Sequence, residues 1–452
     1  MTAWADTSRA ERAVVLDRMA SALEAAGEGI IALADRETSL GSARLAGELR
    51  RTCYQLRFFG EVLRDGGYLE ATIDHAGDTP MGPRPDLRRM LVPIGPVAVF
   101  AASNFPLAFS VPGGDTASAL AAGCPVVIKA HSAHPGTSAL CFEVLSGAAP
   151  AGVLSMVTGR QAGRDLLADP VIRAAGFTGS VGAGRELAAI CAARPDPIPF
   201  FGELGSVNAL VVTPAAAAER GTAIGQGLAG SFTLGAGQFC TKPGVAFVPA
   251  GVEGDAVRDA CVAAVAGSSF TMLTPRILEG FLAGAAGVGA DGRGPDGGAG
   301  AVVVEIDDVA GFLARPELLE EVFGPLLVIV RFADPEKLPE VLAGLPGALT
   351  ASIQHGAGDP DLRALVAAVL GVAGRLVFNG FPTGVAVSWA QHHGGPWPAT
   401  DTQHTSVGAT AIRRWLRPVA FQDAPPDLLP AELRDGPVDV PRRVDGVLQL
   451  AS

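Results

Sequence analysis

The sequence predicts an α/β fold with two doubly wound parallel sheets, and three observations lead to this prediction. From residue 91 onwards, short β-branched runs alternate with helices rich in small residues, and the connections between them are short. A second series of the same kind runs from about residue 203 to 410. The 452 residues are enough for two or three domains, and 48% apolar with 18% charged residues suits a large core and excludes global disorder.

The predicted elements follow in order along the chain. Helical spacing of apolar residues predicts helices over 9–66, and the polar stretch Ala71–Arg89 predicts a loop or an exposed hairpin. Between 91 and 202 we expect strands at Val97–Ala102, Pro125–Lys129, Val153–Thr158 and Ala174–Thr178, and helices at Thr116–Ala122, Thr137–Ser146, Ala162–Ala168 and Arg185–Ala192. In the second series, glycine-rich Gly287–Gly300 predicts a mobile loop, and near the end Trp415–Gln422 predicts a strand.

Charge and cysteine usage exclude several classes of function. The net charge of −12 argues against nucleic acid or an anionic membrane as the main partner. Neither a Cys-x-x-Cys pair nor a metal-like spacing occurs, so we expect no zinc site and no disulfide framework. The six cysteines are Cys53, Cys124, Cys141, Cys191, Cys240 and Cys261. Met1–Arg12 has no apolar core of a secretory signal, and no apolar run reaches the ~20 residues of a membrane span. We therefore expect a soluble, cytoplasmic protein.

The segment Ser231–Lys242 contains the strongest candidate for a nucleophile. Cys240 follows a Gly-Ala-Gly-Gln-Phe stretch, where the backbone can approach a ligand closely. A cysteine attacks as the thiolate, so it needs nearby donors or a helix N-terminus. Taken alone, the alternative of a buried structural cysteine stays open.

Two further segments carry candidate partners for Cys240. Glu203 lies in the apolar, glycine-flanked stretch Phe200–Ser206, where loss of solvent would raise its pKa and make it a general base, although a salt-bridged or solvated carboxylate is the alternative. Asn104 ends a strand before Pro106, where its amide can act as an oxyanion donor or can form an ordinary Asx turn.

Two other positions suggest nucleotide binding. Lys129 is one of only three lysines and stands at the carboxyl end of a predicted parallel strand, where open α/β sheets bind nucleotides. Gly176–Arg185, which includes Gly179 and Ser180, follows a strand and opens a helix, so its N-terminus suits a pyrophosphate. The motif is not a clean Gly-x-Gly-x-x-Gly, and an ordinary turn between strand and helix is the alternative.

Together these segments, in this order, resemble the aldehyde dehydrogenase superfamily from about residue 8 to 435. The closer resemblance is to the α-ketoglutaric semialdehyde (2,5-dioxovalerate) dehydrogenase branch. It depends on Ala102–Asp115, on His134-Pro135-Gly136-Thr137-Ser138, and on Thr405-Ser406-Val407-Gly408 leading to Arg417-Pro418. The resemblance implies oxidation of an aldehyde to a carboxylic acid by NAD or NADP, with α-ketoglutaric semialdehyde as the expected substrate.

The resemblance also implies a role for each matching residue. Cys240 would attack the aldehyde, and the Asn104 amide with the Cys240 backbone N–H would hold the oxyanion. Glu203 would activate the water that hydrolyses the thioester. The cofactor contacts would be Lys129 at the adenosine ribose, Gly179 and Ser180 at the pyrophosphate, Glu321 at the nicotinamide ribose and Phe323 near the ring.

Ser132 leads to a prediction about cofactor choice. It stands where NAD-preferring members carry an acidic residue against the ribose 2′-hydroxyl. A serine leaves room for a 2′-phosphate, so we expect NADP, with NAD possible.

The family pattern predicts a domain division and an oligomer. Residues 1–69 with 94–202 would bind cofactor, 203–412 would be catalytic, and 70–93 with 413–452 would form a small β bridging element. In the family that element pairs across a dimer, so we expect a homodimer or homotetramer.

The sequence departs from the family pattern at several positions. Ser103 replaces a common tryptophan, and Gln403 stands where an arginine would pair a substrate carboxylate. The start and the stretch 251–301 look shortened. Alternatives are therefore a medium-chain or aromatic aldehyde, or a cofactor-deficient thiol esterase or binding protein. An apolar wall would come from the phenylalanines, unless they are simply core; they are Phe105, Phe109, Phe232 and Phe239.

Overall fold

The computed structural model describes residues 4–451 and confirms the α/β fold class. Residues 1–3 and 452, which belong to the predicted end ranges, lie outside the described residues. The α-helices within 4–451 are α1 Arg9–Ala25, α2 Gly27–Thr38, α3 Ser42–Asp65, α4 Gly114–Ala122, α5 Pro135–Ala148, α6 Arg160–Ala168, α7 Val181–Ala192, α8 Pro214–Thr233, α9 Val252–Val265, α10 Pro275–Gly287, α11 Val309–Leu313, α12 Leu338–Ala343 and α13 Arg363–Leu370.

The strands form three larger sheets and one hairpin. They are β1 Thr72–Asp74, β2 Gly77–Thr79, β3 Gly82–Arg84, β4 Leu87–Pro93, β5 Val97–Phe100, β6 Val126–Lys129, β7 Leu154–Val157, β8 Ala174–Thr178, β9 Phe200–Glu203, β10 Asn208–Val212, β11 Pro243–Pro249, β12 Val302–Ile306, β13 Leu326–Phe332, β14 Ala351–Gln354, β15 Leu376–Phe378, β16 Leu416–Gln422, β17 Arg442–Val444 and β18 Val447–Gln449.

The first sheet is parallel throughout, in the order β7-β6-β5-β8-β9. The chain moves outwards from β5 to β7 and then returns to the other side of β5. The strand order therefore reverses between β5 and β8, which is where open α/β sheets bind ligands at the carboxyl ends of their strands. Asn104 follows β5 and Ser180 follows β8, so both lie at this switch point.

The second sheet is also parallel, in the order β12-β13-β11-β10-β14-β15. All residues of β10 and β13 are buried, as expected for strands covered by helices on both faces. Cys240 lies just before β11, and the loop that carries it faces the carboxyl ends of the strands of the first sheet.

The third sheet is mixed, in the order β16-β4-β1-β17-β18, and joins residues 72–93 to the C-terminal segment. Ala71–Arg89, for which we predicted a loop or a hairpin, contains the β2-β3 hairpin and also contributes β1 and the start of β4 to this sheet. These strands form hydrogen bonds with β16 and β17, which are distant in the sequence. The polar pattern of the segment alone therefore could not predict them. The predicted division into domains stays a prediction.

Two other predictions differ from the structure in detail. The helix expected from Arg185 starts at Val181, because the Ser180 side chain accepts the Ala183 N–H at 3.4 Å and caps the first turn. The glycine-rich stretch continues from the end of α10 as a hydrogen-bonded connection, in which Gly300 N–H donates to Gly292 O at 2.8 Å. Its predicted mobility stays a prediction. Within residues 4–451, no helix is both long and apolar enough to cross a bilayer.

Candidate active site

A cavity of about 250 Å³ lies between the first and second sheets and brings together seven of the nine predicted site residues. These seven are Asn104, Gly179, Ser180, Glu203, Cys240, Glu321 and Phe323. Lys129 and Ser132 do not line this cavity. They lie at the end of β6 and in the loop after it, where Lys129 is half-buried and Ser132 is exposed.

The loop before Cys240 holds an unusual backbone. Gly235, Ala236 and Gly237 all have left-handed φ values, +57°, +58° and +68°. A Cβ at Gly237 would lie 2.3 Å from the Gly324 backbone, so only glycine fits there. Asn208 Nδ2 then donates to the Cys240 carbonyl at 2.8 Å. The sulfur is therefore carried on a turn fixed on both sides, and among residues 4–451 Cys240 is largely buried but keeps some exposure, whereas the other five cysteines are fully buried.

Asn104 is attached to the same loop. Its Nδ2 donates to Gln238 O at 2.9 Å, and the Gln238 side chain in turn accepts the Leu273 N–H at 3.0 Å. A carboxamide carries two N–H groups, so one remains available to an oxyanion near the sulfur.

Glu203 ends β9 and is almost fully buried. One carboxylate oxygen, Oε1, is paired with the Arg414 guanidinium, which also contacts Asp115 Oδ1 at 3.3 Å. The other oxygen, Oε2, has no partner among residues 4–451. Burial raises the pKa of Glu203 to about 8, against the opposing effect of the Arg414 charge. The carboxyl group can therefore accept a proton near neutral pH, although it is also salt-bridged, and its role as general base stays a prediction.

Cys240 has an unexpected neighbour in His393, whose Nε2 lies 3.7 Å from Sγ. Burial, together with the nearby carboxylates of Glu321 and Glu203, raises the pKa of the thiol to about 12. Burial also lowers the pKa of His393 to about 3, so the imidazole is neutral. A neutral imidazole has one ring nitrogen free to accept a hydrogen bond from the thiol, and because its pKa is far below that of the thiol it can take the proton only as the sulfur forms its new bond to carbon.

The residues present fit a nicotinamide dinucleotide. Thr178, Gly179 and Ser180 place the N-terminus of α7 on the same cavity as Cys240, and Glu321 with Phe323 lines its other side. A Cβ at Gly205 would lie 2.2 Å from Glu321 Oε2, so glycine leaves the space that this carboxylate occupies.

The adenosine end would lie at the carboxyl end of β6, beside α6. Gly163 of α6 packs on the Lys129 side chain, where an added Cβ would lie 3.2 Å from Cγ. Arg160 at the start of the same helix is close enough for its charge to lower the pKa of Lys129, after the larger effect of burial. Within 4–451, no group of three or more His, Cys, Asp or Glu side chains is arranged to hold a metal ion.

Two residues of this site, His393 and Arg414, were not among the candidates predicted from the sequence. The His392-His393-Gly394-Gly395 stretch is a signal of the same kind as the Cys240 loop, because glycines flank a reactive side chain. Arg414 stands between Arg413 and Trp415, and nothing in that pattern indicates a contact with a carboxylate 211 residues away.

The structure differs from two expectations about the substrate site, one on position 403 and one on the phenylalanine wall. Gln403, where the resemblance placed a carboxylate partner, is exposed and does not line the cavity. Of the four phenylalanines, Phe105 and Phe109 line the cavity and Phe239 packs edge-on against Phe105, whereas Phe232 is fully buried in the core.

Comparison with known proteins agrees with this geometry. Residues 1–272 match the aldehyde dehydrogenase family. The chain is 47% identical to alpha-ketoglutaric semialdehyde dehydrogenase 2 of Azospirillum brasilense, over 97% of this chain and 87% of that protein. It is 42% identical to alpha-ketoglutaric semialdehyde dehydrogenase of Acinetobacter baylyi, over 98% and 88%. The crystal structure of aldehyde dehydrogenase 21 from Physcomitrella patens, in complex with the reaction product succinate, shares the fold with a TM-score of 0.79 at 21% identity, over 93% of this chain and 87% of that one. The chain therefore belongs to the aldehyde dehydrogenase family.

Proposed function

We propose that this NAD(P)-dependent aldehyde dehydrogenase oxidises α-ketoglutaric semialdehyde to 2-oxoglutarate. The observation that carries the proposal is the meeting of the Cys240 thiol, the Asn104 carboxamide and the Glu203 carboxylate in one cavity. The names of the two curated relatives support this choice of substrate.

Cys240 acts first in the proposed reaction. As the sulfur bonds to the aldehyde carbon to give a thiohemiacetal, its proton passes to the His393 imidazole in the same step. The Asn104 amide and the Cys240 backbone N–H stabilise the oxyanion, and the rigid loop keeps these donors in place. When bound, the nicotinamide cofactor supplies the acceptor for the hydride, and the sulfur is left in a thioester.

Glu203 acts in the second half. Its unpaired Oε2 takes a proton from water as the water oxygen attacks the thioester carbon, which releases the acid and the Cys240 sulfur. The cofactor would be held by the N-terminus of α7, by Glu321 and by Lys129.

NADP is proposed as the preferred cofactor. Ser132 brings no carboxylate near the ribose, and Lys129 with Arg160 supplies two positive charges on neighbouring elements. The ratio of kcat/KM for NADP to that for NAD should exceed about ten, and Ser132→Asp should reverse it because the new carboxylate repels a 2′-phosphate. An equal preference for NAD in the unaltered protein would refute this part.

A panel of aldehydes tests the substrate. NADPH formation is followed with α-ketoglutaric semialdehyde, pentanal and benzaldehyde, with Cys240→Ala as the control that should abolish all activity. We expect the highest kcat/KM for the oxo acid. A preference for pentanal or benzaldehyde would indicate that the apolar wall of Phe105 and Phe109 determines the choice of substrate. Ester hydrolysis without any formation of NADPH would favour a thiol esterase.

A homodimer or homotetramer is proposed as the assembly. The third sheet ends in β16 and β18, which have free edges, and Val447 and Leu448 of β18 are exposed. Light scattering coupled to size exclusion would measure the mass, and a monomer would refute the proposal.

A further inference from the structure

Lys242 is a buried lysine two residues after the nucleophile, and the proposed reaction does not use it. Only 5% of its surface is exposed. Burying an ammonium group is costly unless hydrogen bonds and an opposite charge compensate for the lost water. Its Nζ carries three N–H donors, and Leu326 O accepts one of them at 3.0 Å. One backbone carbonyl compensates for only part of this cost, so a nearby negative charge is expected.

Glu321 supplies that negative charge. Lys242 and Glu321 line a second, small cavity of about 10 Å³, which is about the space of one water molecule. Burial raises the pKa of Glu321, and the Lys242 charge lowers it. Conversely, burial lowers the pKa of Lys242, and the Glu321 charge raises it. Each group therefore stabilises the charged form of the other.

Lys242 is the one positive charge that faces Glu321 from the lining of either cavity, within residues 4–451. The other titratable side chains there are acidic or neutral, so none of them can replace it. They are Glu203, Cys240 and His393 in the active-site cavity, and Glu317 and Glu320 in the small one. Loss of Lys242 would therefore leave the buried Glu321 carboxylate without a compensating cation.

The backbone around both side chains fixes their positions. Asn208 Nδ2 donates to the Lys242 carbonyl at 2.9 Å and to the Cys240 carbonyl at 2.8 Å. Glu321 lines the active-site cavity as well as the small one, and Gly205 leaves the space for its Oε2. Lys242 thus connects the turn that carries the sulfur to a carboxylate on the cofactor side of the active site.

We propose that Lys242 is a positioning residue, the counter-ion that keeps Glu321 ionised and in place at the active-site cavity, where Glu321 accepts hydrogen bonds from the nicotinamide ribose. The inference rests on the proposed function in taking Glu321 as the ribose contact. Lys242 does not line the active-site cavity, so it acts on the cofactor only through Glu321.

The affinity for the cofactor tests the proposal without any aldehyde. Isothermal titration calorimetry measures the Kd of NADP, and separately of NAD, over a range of pH. Removing an opposite charge raises a carboxyl pKa by about one to three units, and below the pKa each unit reduces the ionised fraction about tenfold. In Lys242→Met the Kd at pH 7 should therefore rise about tenfold or more, and the difference from the unaltered protein should shrink as the pH is raised.

Two further variants separate the charge of Lys242 from its hydrogen bond and from a general loss of positive charge. Lys242→Gln keeps an N–H donor for Leu326 O but no charge, so it should weaken binding with the same pH dependence as Lys242→Met. Lys337→Met is the matched control and should keep the Kd of the unaltered protein, because Lys337 is exposed and pairs with Asp334 at 3.5 Å.

Thermal unfolding without cofactor separates this proposal from the proposed function. Removing one member of a buried charge pair leaves the other uncompensated, whereas removing both costs much less. Lys242→Met should therefore lower the Tm at pH 8, and the double variant Lys242→Met/Glu321→Gln should recover most of that loss. This recovery supports the charge pair even if neither NADP nor NAD binds to the unaltered protein, in which case the proposed function alone fails. The proposal would be overturned by Tm losses that simply add in the double variant, by an unchanged Kd in Lys242→Met, or by a change in Kd that is the same at every pH.

Discussion

Replacing Arg414 with glutamine should raise the pKa of Glu203 and slow thioester hydrolysis at neutral pH. The Arg414 guanidinium is fully buried and pairs with Glu203 Oε1 and Asp115 Oδ1. Its positive charge is the main influence that opposes burial, which raises the pKa of Glu203 to about 8. Losing an opposite charge at this distance raises a carboxyl pKa by about one to three units.

The magnitude follows from the ionised fraction. Glu203 acts as a base only when it is deprotonated, so the hydrolytic rate rises with pH through its pKa, and the midpoint should move from about 8 to about 9–11 in Arg414→Gln. Below the pKa, each unit reduces the ionised fraction about tenfold, so the rate at pH 7 should fall by about 10- to 1,000-fold.

Hydrolysis of p-nitrophenyl acetate, measured against pH under conditions where deacylation limits the rate, is a suitable assay. Arg413→Gln is the matched control, because the neighbouring Arg413 pairs with Glu70 at 2.7 Å near the surface and should leave the profile unchanged. Arg414→Lys retains a cation and should shift the midpoint less. An Arg414→Gln midpoint equal to that of the unaltered protein would refute the reasoning.

Two further predictions concern the catalytic steps. Glu203→Gln should form one equivalent of NADPH per Cys240 and then stall, because the thioester forms but no base activates water. Steady turnover should fall by about 10²- to 10⁴-fold. Stopped-flow absorbance measures the burst, and steady turnover at the rate of the unaltered protein would contradict this role. His393→Asn should slow alkylation of Cys240 by iodoacetamide about tenfold or more, since the thiol has a pKa raised to about 12 and loses its proton acceptor. Mass spectrometry of the modified peptide reports the rate, and the five buried cysteines serve as internal references. An unaltered rate would exclude the imidazole as the acceptor.

Local patterns were sufficient for four of the five strands of the first sheet, whereas β9 was not predicted, and they led to the prediction of three chemical groups. The strand predicted at Ala174–Thr178 has the same bounds in the structure, and Val97–Ala102 and Pro125–Lys129 differ by one or two residues at an end. A strand covered on both faces consists of a short apolar run, so the run itself predicts where the strand lies in the sequence. Cys240, Glu203 and Asn104 each have a glycine or a proline within three residues, and this local signal made them candidates because a reacting group needs an open backbone around it.

Long-range contacts were beyond any local pattern. Arg414 meets Glu203 across 211 residues, and Cys240 meets His393 across 153. Whether a histidine or an arginine is buried against a carboxylate or a thiol depends on which distant segments pack together, and no spacing along the chain encodes that distance. The exposure of Gln403 was decided in the same way.

The sequence by itself determined the α/β fold class and the family, and it predicted the groups that attack, stabilise and hydrolyse. Only the tertiary structure decided their neighbours, because the order of strands in each sheet brings Asn104, Glu203 and Cys240 to one cavity, with Arg414 beside Glu203 and His393 beside Cys240. Neighbours set charge and solvent access, and these in turn set the pKa of each reacting group. The reacting groups can thus be predicted from short stretches of sequence, whereas their pKa values depend on the folded chain.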